Sequence, residues 1–266
     1  MKYFLEYNDK KYSNIDLIDT FLKLGIKKGD ILCVHTELFN FGIPLLPKNE
    51  FLQTILDCFF EVIDKEGTLI MPTFTYSFCK NEVYDKLNSK AKVGILNEFF
   101  RKQEGVKRTN DPIFSFAIKG AKEELFLKDT TSCFGENSVY DILTKENGIY
   151  MIFGLNQGHA LVHYVEEKNT TFCRYFKKFK GTLINEKSEE ETIIINYYVR
   201  DLQQSYLCDI NKINFIIQET HNYKKINFAK NFIEIYNAKE YVQALCKALS
   251  NNKLAIYKKI EDETIL

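Results

Sequence analysis

Electrical bias is missing from this sequence. Across 266 residues, Lys plus Arg and Asp plus Glu both number 36, so the formal net charge is zero. No surplus of positive charge tracks a nucleic-acid backbone, and no acidic excess suits a polycationic partner, so neither is expected. The Lys177, Lys178 and Lys180 run, interleaved with Phe176 and Phe179, reads as a solvated loop or strand edge. Proline (4) and glycine (12) are scarce, and no repeat or low-complexity linker divides the chain. The seven cysteines form no Cys-x-x-Cys pair; an odd, dispersed set reads as reduced, buried thiols. No apolar run is long enough for a membrane span, and Met1-Lys2-Tyr3-Phe4-Leu5-Glu6 is not signal-like, so no membrane partner and a cytoplasmic location are expected. Gly-x-Gly-x-x-Gly, a Walker-type Lys and a Gly-x-Ser-x-Gly elbow are all absent, which weakens nucleotide-fingerprint and standard α/β-hydrolase readings.

What is present is an alternation of helical periodicity and short, continuous apolar runs. Asn14 to Gly25 reads as a helix capped by Ser13 or Asn14, and Phe51 to Ile63 as an amphipathic helix. Ile31 to His35, Thr68 to Met71, Phe114 to Ile118 and Ile149 to Leu155 read as buried strands. Helices are expected at 94–101, 121–128 and 138–144. Further on, Thr182 to Ile184 and Thr192 to Val199 read as antiparallel strands around a turn at 186–191. Helices are expected near 201–207, 229–237 and 239–249, and an edge strand or frayed end at 254–261. The fold class is α/β: a mostly parallel central sheet with flanking helices and a smaller antiparallel C-terminal part, one integrated domain over residues 1–266.

The richest stretch is Gly158-His159-Ala160-Leu161-Val162-His163-Tyr164-Val165-Glu166-Glu167. It follows an apolar strand and the turn-forming Asn156-Gln157-Gly158, the arrangement by which open α/β sheets present reactive groups at a strand's carboxyl end. A helix there sets His163 and Glu166 one turn apart on one face, and a carboxylate beside an imidazole fixes its tautomer and raises its basicity. The chain has only four histidines, and two lie here. The rival is a zinc site on His159 and His163, but Ala160 stands where His-Glu-x-x-His needs its glutamate. The plainer alternative is a core histidine bonded to a backbone carbonyl. His35-Thr36-Glu37-Leu38 and Pro72-Thr73-Phe74-Thr75 each end a buried strand, where hydroxyls and free amides hold phosphate or carbonyl oxygens. Thr36 serves equally as a simple cap, and Ser115 and Ser138 as ordinary polar side chains.

In this order the pieces resemble the aminoglycoside 3-N-acetyltransferase family. The matching stretches are Leu24-Gly25-Ile26-Lys27-Lys28-Gly29-Asp30 with Val34-His35-Thr36-Glu37-Leu38, Glu66 to Thr75, Gly105 to Asp111-Pro112 with Phe114 to Ala117, Phe134 to Ser138, and Leu161 to Glu166. The resemblance runs from Ile15 to Gly181, and faintly through Asn227 to Leu245. It implies an acetyl-CoA-dependent N-acetyltransferase working by direct transfer in a ternary complex on a small-molecule amine of an amino sugar, with acetyl-CoA as co-substrate and no metal. It implies His163 as general base and Glu166 as its orienting acid. It places His35, Thr36, Glu37, Leu38, Thr73, Thr75 and Ser115 on the coenzyme A side of the cleft. Two departures fall near that cleft: Asp111-Pro112 where the family commonly has His-Pro, and His35-Thr36-Glu37-Leu38 in place of His-Ser-Ser-Leu. The acceptor is an aminoglycoside antibiotic or a nucleotide-linked amino sugar for a surface glycan, and self-association is left open. An acyl-enzyme on Cys133 or Cys173 is disfavoured, since nothing near either in sequence activates its thiol. A metal-dependent hydrolase and a non-catalytic acyl-CoA- or sugar-binding module are the competing expectations.

Overall fold

The computed structural model describes residues 1–155, 159–220 and 223–260. An N-terminal hairpin of β1 (Tyr3–Tyr7) and β2 (Lys10–Ser13) feeds α1 (Asn14–Leu24). Ser13 caps that helix reciprocally: its Oγ accepts the Asp16 amide, and the Asp16 carboxylate accepts the Ser13 amide at 2.7 Å. Gly25, at φ 94°, ends it in the left-handed region where a side chain would be strained. There follow β3 (Ile31–Thr36), β4 (Ile43–Pro44), α2 (Lys48–Ile63), β5 (Thr68–Pro72), β6 (Tyr84–Asp85) and α3 (Ile95–Phe100). Next come β7 (Lys107–Arg108), β8 (Phe116–Gly120), α4 (Val139–Lys145), β9 (Ile149–Phe153) and α5 (Val162–Lys168). The last third holds β10 (Arg174–Ile184), β11 (Glu190–Arg200), β12 (Tyr206–Cys208), α6 (Ile210–Gln218), β13 (Lys224–Phe228), β14 (Asn231–Asn237), α7 (Ala238–Asn251) and β15 (Tyr257–Lys259).

Seven strands form the central sheet in the order β13-β14-β9-β3-β5-β8-β7. Only β9, β3 and β5 run parallel; every other neighbouring pair is antiparallel. The sheet is therefore mixed, which corrects the mostly parallel expectation. One of these pairs has a local cause: β13 and β14 are joined by the two residues 229–230, and so short a link permits only antiparallel pairing. The helix expected at 201–207 is a turn leading to β12, and the one expected at 229–237 is β14. The 121–128 segment holds a 3₁₀ turn, Glu123–Leu127. The antiparallel C-terminal part is present as the long β10–β11 hairpin and the β12–β15 pair; Glu261 of the expected edge strand lies outside the described residues.

The continuous apolar runs divide by alternate residues between two cores, as the pleat of a doubly covered sheet demands. Ile31, Cys33, Ile70, Tyr150 and Ile152 pack on the α4 and α7 face. Leu32, Val34, Leu69, Met71, Met151 and Phe153 pack on the α1 and α2 face. The carboxyl ends of β3, β5 and β9 share one edge of the sheet, and β8 starts at that edge because Phe116 pairs with Pro72. Among the described residues no helix is long and apolar enough to cross a membrane.

Candidate active site

β9 delivers the chain to the sheet edge, and α5 rises from it with His163 and Glu166 one turn apart. The predicted turn 156–158 between them lies outside the described residues. His163 Nδ1 lies 2.8 Å from Glu166 Oε2. The carboxylate can only accept, so the proton of this bond sits on Nδ1 and the lone pair on Nε2. Glu166 is 1% exposed, while the His163 side chain keeps 29% of its surface open. Phe134 packs on the imidazole, ring centroids 5.3 Å apart.

The glutamate is held from its other oxygen as well. Arg174, at the start of β10, brings Nε within 2.8 Å of Glu166 Oε1, and Tyr257 donates its hydroxyl to that atom at 2.9 Å. Burial alone would raise the carboxyl pKa, but the bond from His163 and the Arg174 guanidinium outweigh it and hold the group down to about 2. Arg174 Nη2 also comes within 3.0 Å of His163 Nδ1, an atom already committed as a donor to Glu166. That contact is one of like polarity. His163, Glu166, Arg174, Arg200, Cys208 and Tyr257 border a cavity of about 330 Å³.

The residues expected on the coenzyme side gather at the sheet edge, with their side chains turned inward. Thr36 donates to Asn97 Oδ1 (2.9 Å), and Asn97 Nδ2 donates to the Pro72 carbonyl (2.8 Å), tying the ends of β3 and β5 together. The Thr73 and Ser115 hydroxyls are 3.1 Å apart, and Arg108 Nε reaches both, at 3.1 and 3.2 Å. Thr75 donates to the Pro112 carbonyl at 2.8 Å. Leu38 is buried in the α1–α2 core, and Glu37, half-buried, accepts the Phe39 amide. His35 is buried with Nε2 3.0 Å from the Tyr140 hydroxyl. A chain of rings, His35–Tyr140–Phe134–His163, links it to the catalytic candidate.

Burial, with a smaller contribution from His159, lowers the His35 pKa to about 3. In the unfolded chain that imidazole protonates below about 6.5. Its contribution to stability is therefore complete above pH 6.5 and is lost as the pH falls towards 3. Urea unfolding of the wild type should show stability dropping between pH 6.5 and 4, and His35→Gln should flatten that slope. An unaltered slope in the variant would refute a buried neutral imidazole.

The rival readings fare differently. His159 is buried against Tyr236 and Tyr241, and burial lowers its pKa to about 4, so it faces a different environment from His163. Among the described residues no group of three or more His, Cys, Asp or Glu side chains is arranged to hold a metal ion. The Cys133 thiol, 3.8 Å from Asp111, is pushed well up by burial and by that carboxylate; burial raises Cys173 to about 11. Neither is a ready nucleophile. All seven cysteines are free, but Cys79 is exposed, against the expectation of uniform burial. Asp111 accepts the Ile113 and Phe114 amides at 2.8 Å, so this departure from the family pattern shapes the turn before Ser115. Lys177, Lys178 and Lys180 are exposed on β10, and Glu189, Glu190 and Glu191 are exposed at the hairpin tip.

Sequence reasoning missed Arg174, Tyr257, Arg108 and Asn97. A signal for the arginines was present: the chain has four, Arg101, Arg108, Arg174 and Arg200, among 36 basic residues. Where lysine is the default cation, an arginine marks a place that needs a planar, always-charged fork. Nothing comparable singles out Tyr257 among sixteen tyrosines.

Residues 33–250 match a family model described as aminoglycoside 3-N-acetyltransferase. A comparison with curated protein sequences gives no match. Among solved structures, AAC-IIIb in binary complex with CoASH has a TM-score of 0.76 at 18% identity, covering 90% of this chain and 97% of that one. AAC-VIa bound to sisomicin gives 0.76 at 16% identity, with 90% and 98% coverage. YokD from Bacillus subtilis gives 0.73 at 17% identity, with 91% and 100% coverage. At such identities the likeness is one of fold.

Proposed function

The chain belongs to the aminoglycoside 3-N-acetyltransferase family, and from that premise we propose that it moves the acetyl group of acetyl-CoA directly onto an amino group of an amino sugar, with His163 as general base. The observation that carries this is the His163–Glu166 pair: Nδ1 is tied to a buried carboxylate at 2.8 Å, and the ring borders a cavity. An aliphatic amine is mostly protonated at neutral pH, and only its neutral form has the lone pair to attack a thioester. His163 Nε2 takes the proton as the nitrogen bonds to the carbonyl carbon, and returns it to the sulfur as the carbon–sulfur bond breaks. Glu166 holds the ring in one tautomer throughout and stabilises the imidazolium that forms. With the proton carried in this way the step calls for no metal, and with the Cys133 and Cys173 thiols pushed up no acyl-enzyme on either is needed.

The coenzyme side is read at the sheet edge formed by His35, Thr36, Glu37, Leu38, Thr73, Thr75 and Ser115. Because the hydroxyls of Thr36, Thr73, Thr75 and Ser115 are spent within the protein, these residues fix the shape of that edge. Residues 1–266 are read as one catalytic domain, since β14 lies between β13 and β9 in the same sheet.

Titration calorimetry with acetyl-CoA, followed by a free-thiol release assay over a panel of amines, tests the reading. Saturable coenzyme binding and amine-dependent thiol release are expected. Binding without release for any amine would leave only a binding module.

A further inference from the structure

We propose that the cavity beside His163 receives an anionic group, a carboxylate or phosphate borne by one of the reacting substrates, and that Arg200 binds it. The proposal rests on the acyl-transfer reading only for what the substrates are. Arg174 and Arg200 are directly opposed in the β10–β11 ladder. Like charges facing one another across a hairpin repel. Glu166 neutralises one of them, at 2.8 Å from Arg174 Nε. Arg200 has no such partner: among the described residues its side chain makes no ion pair, and its Nε, like that of Arg174, is buried without a well-aligned acceptor. A buried guanidinium donor left open costs free energy unless something fills it. Both arginines border the same cavity as the base, and among the described residues Glu166 is the one carboxylate on that border.

The chemistry narrows the ligand. A polycationic acceptor needs carboxylates, and the wall around His163 offers a surplus guanidinium instead. Asp111, Asp129 and Glu191 do border a cavity, of about 260 Å³, but His163 is not part of it. The phosphates of coenzyme A are separated from its sulfur by the whole pantetheine arm, so they do not reach a cation that shares a small cavity with the base. The anion must then sit near the reacting atoms, either on the amine acceptor or at the far end of the transferred acyl group. A guanidinium meets either oxyanion with paired, charge-assisted hydrogen bonds.

The test uses the full chain and the variants Arg200→Met and Arg200→Lys. With acetyl-CoA, glucosamine 1-phosphate should exceed glucosamine in kcat/KM by at least ~10-fold, the worth of a charged hydrogen bond. Arg200→Met should bring the two to near parity, and Arg200→Lys should keep part of the preference. If the preference appears instead between succinyl-CoA and acetyl-CoA, and is lost in Arg200→Met, the anion belongs to the acyl group. Ratios unchanged by Arg200→Met, or a polycation such as sisomicin preferred to both amines, would overturn the proposal. Should no amine release thiol, the transfer reading fails on its own, and calorimetric titration with sodium phosphate still decides the anion site. Wild-type binding weakened at least ~10-fold in Arg200→Met supports the site; equal binding by both proteins, or none by either, refutes it.

Discussion

His163→Ala should reduce kcat for N-acetylation by ~10²- to 10⁴-fold, the usual contribution of a positioned general base. Among the described residues at the cavity, the imidazole alone combines a free lone pair, partial exposure and a fixed tautomer. Glu166 is shielded at 1% exposure and already accepts from His163 and Tyr257. Coenzyme binding should persist, because the sheet-edge residues belong to other strands. Free imidazole should restore part of the rate, since the deletion leaves a ring-sized space beside Phe134. Turnover within a few-fold of wild type would rule out His163 as the base.

Arg174→Met should have the largest effect on stability. It strands a carboxylate that is almost fully buried, and breaking one side of a buried ion pair typically costs ~3–5 kcal/mol. The pH dependence gives the sign. Glu166 is held at about 2, below the 4.5 of a free glutamate, so its contribution is present above pH 4.5 and is lost as the pH falls through about 2. Without Arg174 the folded-state value rises, and the acid limb of the stability curve moves to higher pH. Urea titrations from pH 7 to 3 measure both effects. Adding Glu166→Gln should recover part of the loss, because the two changes share one network. A cost under ~1 kcal/mol with an unmoved acid limb would contradict a charged, arginine-dependent Glu166.

Much of this arrangement was legible before any coordinates. β3, β5 and β9 are apolar on both faces, and that fixed them as central strands; the Ser13 cap and Gly25 stop bounded α1. His163 and Glu166 were legible because helical spacing alone brings them together. β14 was not. No glycine or proline separates it from α7, and its apolar residues Phe232, Ile233, Ile235 and Tyr236 fit a helical as well as a strand period. Its turn offers Ala229, at φ 49°, where a tight hairpin normally advertises itself with asparagine or glycine. The parallel count failed with it, since an unrecognised hairpin removes an antiparallel neighbour from β9. Arg174 was hidden for a different reason: it lies eight residues past Glu166, and only the return of β10 beneath α5 makes them partners. The hydroxyls of Thr36, Thr73 and Ser115 were found at the right edge, but sequence order could not show that Asn97 and Arg108 occupy them.

The place of β14 also governs how this protein is made. β9, whose end launches the histidine helix, is flanked by β3 on one side and by β14 on the other. On the ribosome the first neighbour is ready long before the second, because residues 231–237 emerge some eighty residues after β9 is complete. Throughout that interval the bare edge of Ile149–Phe153 can pair with strands of other nascent chains. A stalled or prematurely terminated product lacking residue 237 would thus carry His163 on an unsealed sheet, bound for aggregation or proteolysis before it could acquire activity.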